Sequence, residues 1–144
     1  MPAVFDHSVI LARDALASAR FLARALDVPA PTGPANIPEE AKGAIPAFVT
    51  LTLPGNSFDF VPMPADYVIP SQHLGFRLSE QEFDAAIARF KADGVQFFAH
   101  ETPAGIGGIG EVYKYPDGTR VLYFKDPNNH LMELTTINQH DKWK

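Results

Sequence analysis

The sequence predicts an α+β fold built from two copies of one supersecondary unit. Three repeated landmarks predict it. A histidine sits in each opening strand, His7 and His73. A helix follows each of them after a polar cap. Each half then closes on a Pro-x-Asn turn and a strand with a central carboxylate, Asp59 in SFDFV and Glu133 in HLMELT. Repetition at this scale marks two copies of one unit, each running strand, helix, then two or three strands.

In the first half, residues 4–11 (VFDHSVIL) are rich in β-formers and read as a strand. Asp14 suits an N-cap. Leu16, Ala19, Leu22, Ala23 and Leu26 then recur at helical spacing and predict a helix to about residue 27. Residues 29–46 hold five prolines and two glycines and predict a long loop, of the kind that often serves as a lid. FVTLTL (48–53), the turn Pro54-Gly55-Asn56 and SFDFV (57–61) predict a hairpin. Together they make a first module over residues 1–62, with residues 63–71 as linker.

The second half spans residues 72–136, followed by a tail over 137–144. QHLGFRL (72–78) reads as a strand, and Ser79 with Glu82 gives a capping-box pattern. Phe83, Ile87 and Phe90 mark one helix face, and Gly94 is placed to stop it. PAGIGGIG (103–110) predicts a mobile loop over the mouth of a cavity. It lacks the Lys-Ser/Thr of a phosphate loop, and no helix follows it. EVYKY (111–115) and TRVLYF (119–124) predict a hairpin around Pro116-Asp117-Gly118, and the turn 126–129 leads into HLMELTT (130–136).

Composition narrows the function. The chain has 144 residues, 46% hydrophobic and 20% charged, enough for one folded domain with a core. The formal net charge of −5 argues against nucleic acid or an anionic membrane as the main partner. The absence of cysteine removes disulfides, thiolate metal sites and a cysteine nucleophile, and fits a cytoplasmic protein. The N-terminal MPAVFDHSVI carries neither the basic nor the long apolar region of a secretion signal.

Alternation then sorts the side chains by face. Leu74, Phe76 and Leu78 share one face of their strand; His73, Gly75 and Arg77 share the other. Met132 and Leu134 oppose Leu131, Glu133 and Thr135. Phe58 and Phe60 oppose Ser57, Asp59 and Val61. In the first strand, Val9 and Leu11 accompany His7, and Ile10 lies opposite. Each strand thus has an apolar face for a helix to cover and a second face bearing a histidine or a carboxylate. A carboxylate placed as Glu133 is, between Met132 and Leu134, needs a wet face or a positive partner.

These residues resemble the vicinal oxygen chelate superfamily, which includes glyoxalase I, bleomycin-resistance and fosfomycin-resistance proteins and extradiol dioxygenases. The resemblance covers almost the whole chain. It rests on FDHSVILARD with its helix, on QHLGFRLSEQEFDAAIARFKADGV, and on VLYFKDPNNHLMELTT. It implies two paired βαβββ modules forming a curved, cup-shaped mixed sheet with helices on its outer face. It implies a divalent transition metal (Fe, Mn, Ni, Co or Zn) held by His7, His73 and Glu133. The matching position for a fourth ligand is Asp59, one carbon shorter than the glutamate more usual there. Two imidazoles with one or two carboxylates suit such an ion, which would also neutralise Glu133.

Further roles follow from placement. Glu133 and Tyr123 are candidates for proton transfer, and Tyr113 for lining a substrate pocket. Arg77 shares the His73 face and either holds an anionic substrate group or pairs with a structural acid. His130 is expected at the surface; His100 and His140 have no assigned role. The resemblance implies a metal-dependent enzyme acting on a small oxygenated metabolite, either a glyoxalase-like isomerase or lyase or an extradiol-type dioxygenase. A non-enzymatic drug- or metabolite-binding protein is the alternative. The family habit implies a homodimer, with modules paired within one chain or between two.

Overall fold

The computed structural model describes residues 2–137. The tail with His140 lies outside the described residues. The chain divides into two compact units, one ending at Pro70 and the next beginning at Ser71. Each is an α-helix laid on a sheet, and the sheets have three and six strands.

In the first unit, β1 (His7–Ala12) pairs in parallel with β3 (Asn56–Pro62), and β2 (Val49–Leu53) pairs antiparallel with β3. Residues 4–6, which read as strand in the sequence, lie outside β1. The helix α1 (Ala15–Leu26) starts where the Asp14 carboxylate accepts the Ala17 N–H, and it ends at Asp27 in the left-handed conformation. It packs on all three strands. Its Ala19 and Leu22 are buried, as are Ile10, Val49, Leu51 and Phe60 of the strands. Residues 29–46 hold only a 3₁₀ turn (Glu39–Ala41) and an antiparallel bridge from Pro34 to Val49. The Arg13 guanidinium donates to the carbonyls of Pro64 and Tyr67, which ties the following segment to this unit.

In the second unit the strand order is β4 (His73–Arg77), β9 (Leu131–Thr135), β8 (Arg120–Lys125), β5 (Phe97–Thr102), β6 (Gly105–Ile109), with β7 (Tyr113–Lys114) on β8. Only β4 and β9 run parallel. The helix α2 (Glu80–Asp93) carries the full capping box of Ser79 and Glu82 and ends at Gly94. Phe83, Ala86 and Phe90 are its buried stripe. Phe90 packs against Phe124 and Phe97, with ring centres 4.8 and 6.2 Å away. Arg120 of β8 fastens the start of α2. It donates to Glu80 at 2.8 Å and to Asp84 at 2.7 Å, and its guanidinium lies 4.6 Å from the centre of the Phe83 ring.

The structure corrects two expectations here. The glycine-rich stretch 103–110 is not a loop: residues 105–109 form β6, paired antiparallel with β5. Its glycines let neighbouring side chains lie across the strand. A Cβ at Gly107 would sit 2.1 Å from His100 Nε2, and one at Gly108 would sit 2.6 Å from the Ala99 Cβ. Nor is His130 at the surface; it is fully buried. Its Nδ1 accepts the Gln72 N–H at 2.9 Å, and its own N–H donates to Asp126 at 2.8 Å. The buried imidazole thus joins the entry of β4 to the turn before β9. Among the described residues no helix is long and apolar enough to cross a membrane.

Candidate functional site

In the first unit the register sets Val9 beside Asp59 and His7 beside Ser57. Alternation then puts His7 and Asp59 on one face, opposite the buried Ile10, Phe58 and Phe60. His7 Nε2 lies 4.0 Å from Asp59 Oδ2. Both side chains are held from behind. The Asp6 carboxylate sits 2.6 Å from His7 Nδ1, and Thr50 Oγ1 donates to Asp59 Oδ1 at 2.7 Å. The Asp6 hydrogen bond raises the His7 pKa above its ordinary value; desolvation opposes the shift, and the Asp59 charge adds to it.

In the second unit Gly75, Glu133 and Tyr123 stand in one cross-strand row on β4, β9 and β8. His73 lies on the same face, and its Nε2 is 3.1 Å from Glu133 Oε2. Its Nδ1 faces the Leu131 carbonyl oxygen at 3.2 Å. Glu133 is only 12% exposed, which gives the chain a carboxylate with little water around it. Tyr123 has its pKa pushed up to about 12, first by burial and then by the negative charge of Glu133. Its phenol therefore keeps its proton near neutrality.

Both histidines show the same hydrogen-bond conflict. A carboxylate or carbonyl oxygen occupies the Nδ1 side, and another carboxylate stands before Nε2. A neutral imidazole has one N–H to give. With that hydrogen on Nδ1, the Nε2 lone pair faces an oxygen that also only accepts. A second proton on the ring, or a cation placed between them, satisfies both.

Beside the second pair, the same sheet forms a cavity of about 190 Å³ lined by Ala99, His100, Tyr113, Tyr115, Val121 and Tyr123. Tyr113 and Tyr115 meet edge to face at 4.8 Å between ring centres. Tyr123 walls this cavity and also neighbours Glu133 and His73, with a ring-centre distance of 6.4 Å to the latter. Arg77 is exposed on the same face, level with Thr135 and Val121.

The sequence-derived candidates thus fall into two groups. His7 and Asp59 meet in the first unit; His73, Glu133, Tyr123, Tyr113 and Arg77 share one face in the second. Within each unit, among the described residues, no group of three or more His, Asp or Glu side chains forms a metal-holding cluster. Sequence reasoning missed Asp6, Thr50 and His100. Asp6 adjoins His7 in the chain, and counting back across the hairpin from the Pro54-Gly55 turn places Thr50 opposite Asp59. No comparable signal marked His100, whose strand was itself unrecognised.

No protein-family model and no curated protein matches the chain. Solved structures do. The chain is similar to the oxidase ChaP-H2 at 30% identity, covering 96% of each chain with a TM-score of 0.76. It is similar to the oxidase ChaP-H1 at 28% identity, covering 96% of this chain and 98% of that one, with a TM-score of 0.74. The fosfomycin resistance protein FosX from Listeria monocytogenes shares the fold at 19% identity, with a TM-score of 0.66 over 100% of this chain and 99% of that one.

Proposed function

Because the chain belongs to the vicinal oxygen chelate superfamily, we propose that it is a metal-dependent enzyme acting on a small oxygenated metabolite. One observation carries the reading: each histidine has an acceptor beside Nδ1 and a carboxylate before Nε2. The ligands would be His7, Asp59, His73 and Glu133. Two imidazoles and two carboxylates form a mixed nitrogen and oxygen set that fits Fe, Mn, Co, Ni or Zn. The 3.1 Å between His73 Nε2 and Glu133 Oε2 suits two donors in adjacent positions on one ion.

When bound, such a metal supplies Lewis acidity toward vicinal substrate oxygens and, as iron, access to O₂ chemistry. The chain's own groups do the rest. Tyr123 donates a hydrogen bond or a proton beside Glu133. The tyrosine-lined cavity holds an apolar part of the substrate about one ring in size, since an apolar cavity of about 150 Å³ accommodates benzene. Arg77 offers a planar two-pronged donor to a carboxylate or phosphate.

The oxidases among the similar structures favour an oxidative, dioxygenase-type reaction. A second reading, a glyoxalase-like isomerase or lyase, draws support from Asp59, which stands near His7 as a fourth ligand would. Elemental mass spectrometry on purified untagged protein, beside His73→Ala, tests the proposal. About one equivalent of a transition metal, lost in the variant, supports it. Iron selects the oxygenase reading, and nickel, cobalt or zinc the isomerase reading. If reconstitution with each metal fails, the metalloenzyme reading falls and a binding protein for aromatic drugs or metabolites replaces it. Sizing of the same sample checks the proposed homodimer.

A further inference from the structure

Resting on the metal-site reading, we propose that Asp6 and Thr50 are positioning residues that aim His7 and Asp59 at a divalent cation and hold the pair apart until it arrives. The two braces act on opposite members of the pair. The Asp6 carboxylate, 2.6 Å from His7 Nδ1, accepts only, so in the neutral imidazole it favours the hydrogen on Nδ1 and leaves Nε2 as a lone pair. It also adds electron density to the ring, which strengthens a ligating nitrogen. Thr50 Oγ1, 2.7 Å from Asp59 Oδ1, holds one carboxylate oxygen and leaves Oδ2 on the His7 side.

The outcome is an open pair. At 4.0 Å, Nε2 and Oδ2 do not hydrogen-bond to each other. While the imidazole is neutral, two acceptors held face to face at that distance by separate side chains gain nothing from each other. The pair stays open at 4.0 Å, whereas Arg120 and Asp84 close to 2.7 Å. The second unit braces His73 with a backbone carbonyl, which no side-chain substitution removes. The first unit's braces are therefore the ones that substitution can test.

The test uses the full chain and Co(II), with affinity measured by chelator competition and the site observed through the cobalt absorption bands. Asp6→Ala and Thr50→Val should each weaken Co(II) binding by about 10- to 100-fold. Asp6→Asn and Thr50→Ser keep an acceptor and a donor in place and should restore affinity to within about threefold. In metal-free protein, at a pH above the raised pKa of His7, nitrogen NMR should show its Nδ1–H tautomer, and Asp6→Ala should move it toward Nε2–H. Circular dichroism identifies any variant that fails to fold, and the conservative pair then decides. Wild-type binding with unchanged affinity in the Ala and Val variants overturns the proposal, as does a loss that Asn and Ser do not rescue. A wild-type chain that binds no Co(II) brings down the metal-site reading itself, and the positioning proposal with it.

Discussion

The two units solve one problem by different means. Each must present an imidazole and a carboxylate on the face of a sheet whose other face is core. In both units the histidine is about half exposed and the carboxylate is largely buried; the first unit holds each donor by a side chain, Asp6 or Thr50. The second sets Glu133 between Gly75 and Tyr123 and holds His73 by a backbone carbonyl. Bracing by side chains leaves the first pair 4.0 Å apart, whereas the second closes to 3.1 Å. The face is dictated by strand alternation, while the aim of each donor depends on whatever neighbour the register supplies.

The largest effects should come from beneath the two faces. Phe60→Ala and Phe124→Ala each remove a fully buried ring, one from each unit, and should cost about 3–5 kcal/mol in denaturant unfolding. Should both variants lose the same stability in one shared transition, the units fold together; two separated transitions would show that each has its own.

Removing ligands sharpens the contrast at the sites. His73→Ala and Glu133→Ala should lower metal affinity by well over the ~100-fold upper range for a lost orienting partner. Asp59→Ala should do the same if the ion takes four ligands, and titration calorimetry would show a smaller effect if it takes three.

The glycine strand provides the next test. Gly108 has φ +67°, and a Cβ there would press on Ala99, so Gly108→Ala should cost about 1–3 kcal/mol. A thermal midpoint unchanged in that variant would argue against β6 as a paired strand.

The smallest effect lies at the helix starts. The Ser79 backbone and side-chain hydrogen bonds lower the pKa of Glu82 from its ordinary value. A depressed carboxylate contributes stability that is complete above its unfolded value of 4.5 and is lost as the pH falls through the lower folded one. Thermal midpoints measured downward from pH 6 should therefore decline less in Glu82→Gln than in the parent. The helix of the first unit, capped by Asp14 with no glutamate at the reciprocal position, offers no such box to remove.

Much of this was legible in the sequence because alternation and capping are local. The faces of His73, Arg77 and Glu133, the Asp14 cap and the Ser79-Glu82 box all follow from spacing within a few residues. The strand 105–109 was not legible, because Gly-Ile-Gly-Gly-Ile has almost no side-chain pattern and its pairing depends on β5. The burial of His130 is hidden for a related reason: its ring partner is the Gln72 N–H, 58 residues earlier in the chain. The braces on His7 and Asp59 lay between these cases, adjacent in sequence or one hairpin away. The ligand set and the module pairing, by contrast, came from family resemblance, which the local patterns alone do not supply.

The parallel pairing of β4 with β9 carries one more consequence, for assembly. His73 and Glu133 are 60 residues apart in the chain and meet only when that loop has closed. Closing it costs chain entropy that no local contact repays, which tends to place such pairings late in folding. The donor pair is thus a record of completed folding: a half-folded second unit has a histidine and a glutamate but no site. Any ion that grips both would act as a latch on the closed loop and raise the unfolding midpoint with its own concentration.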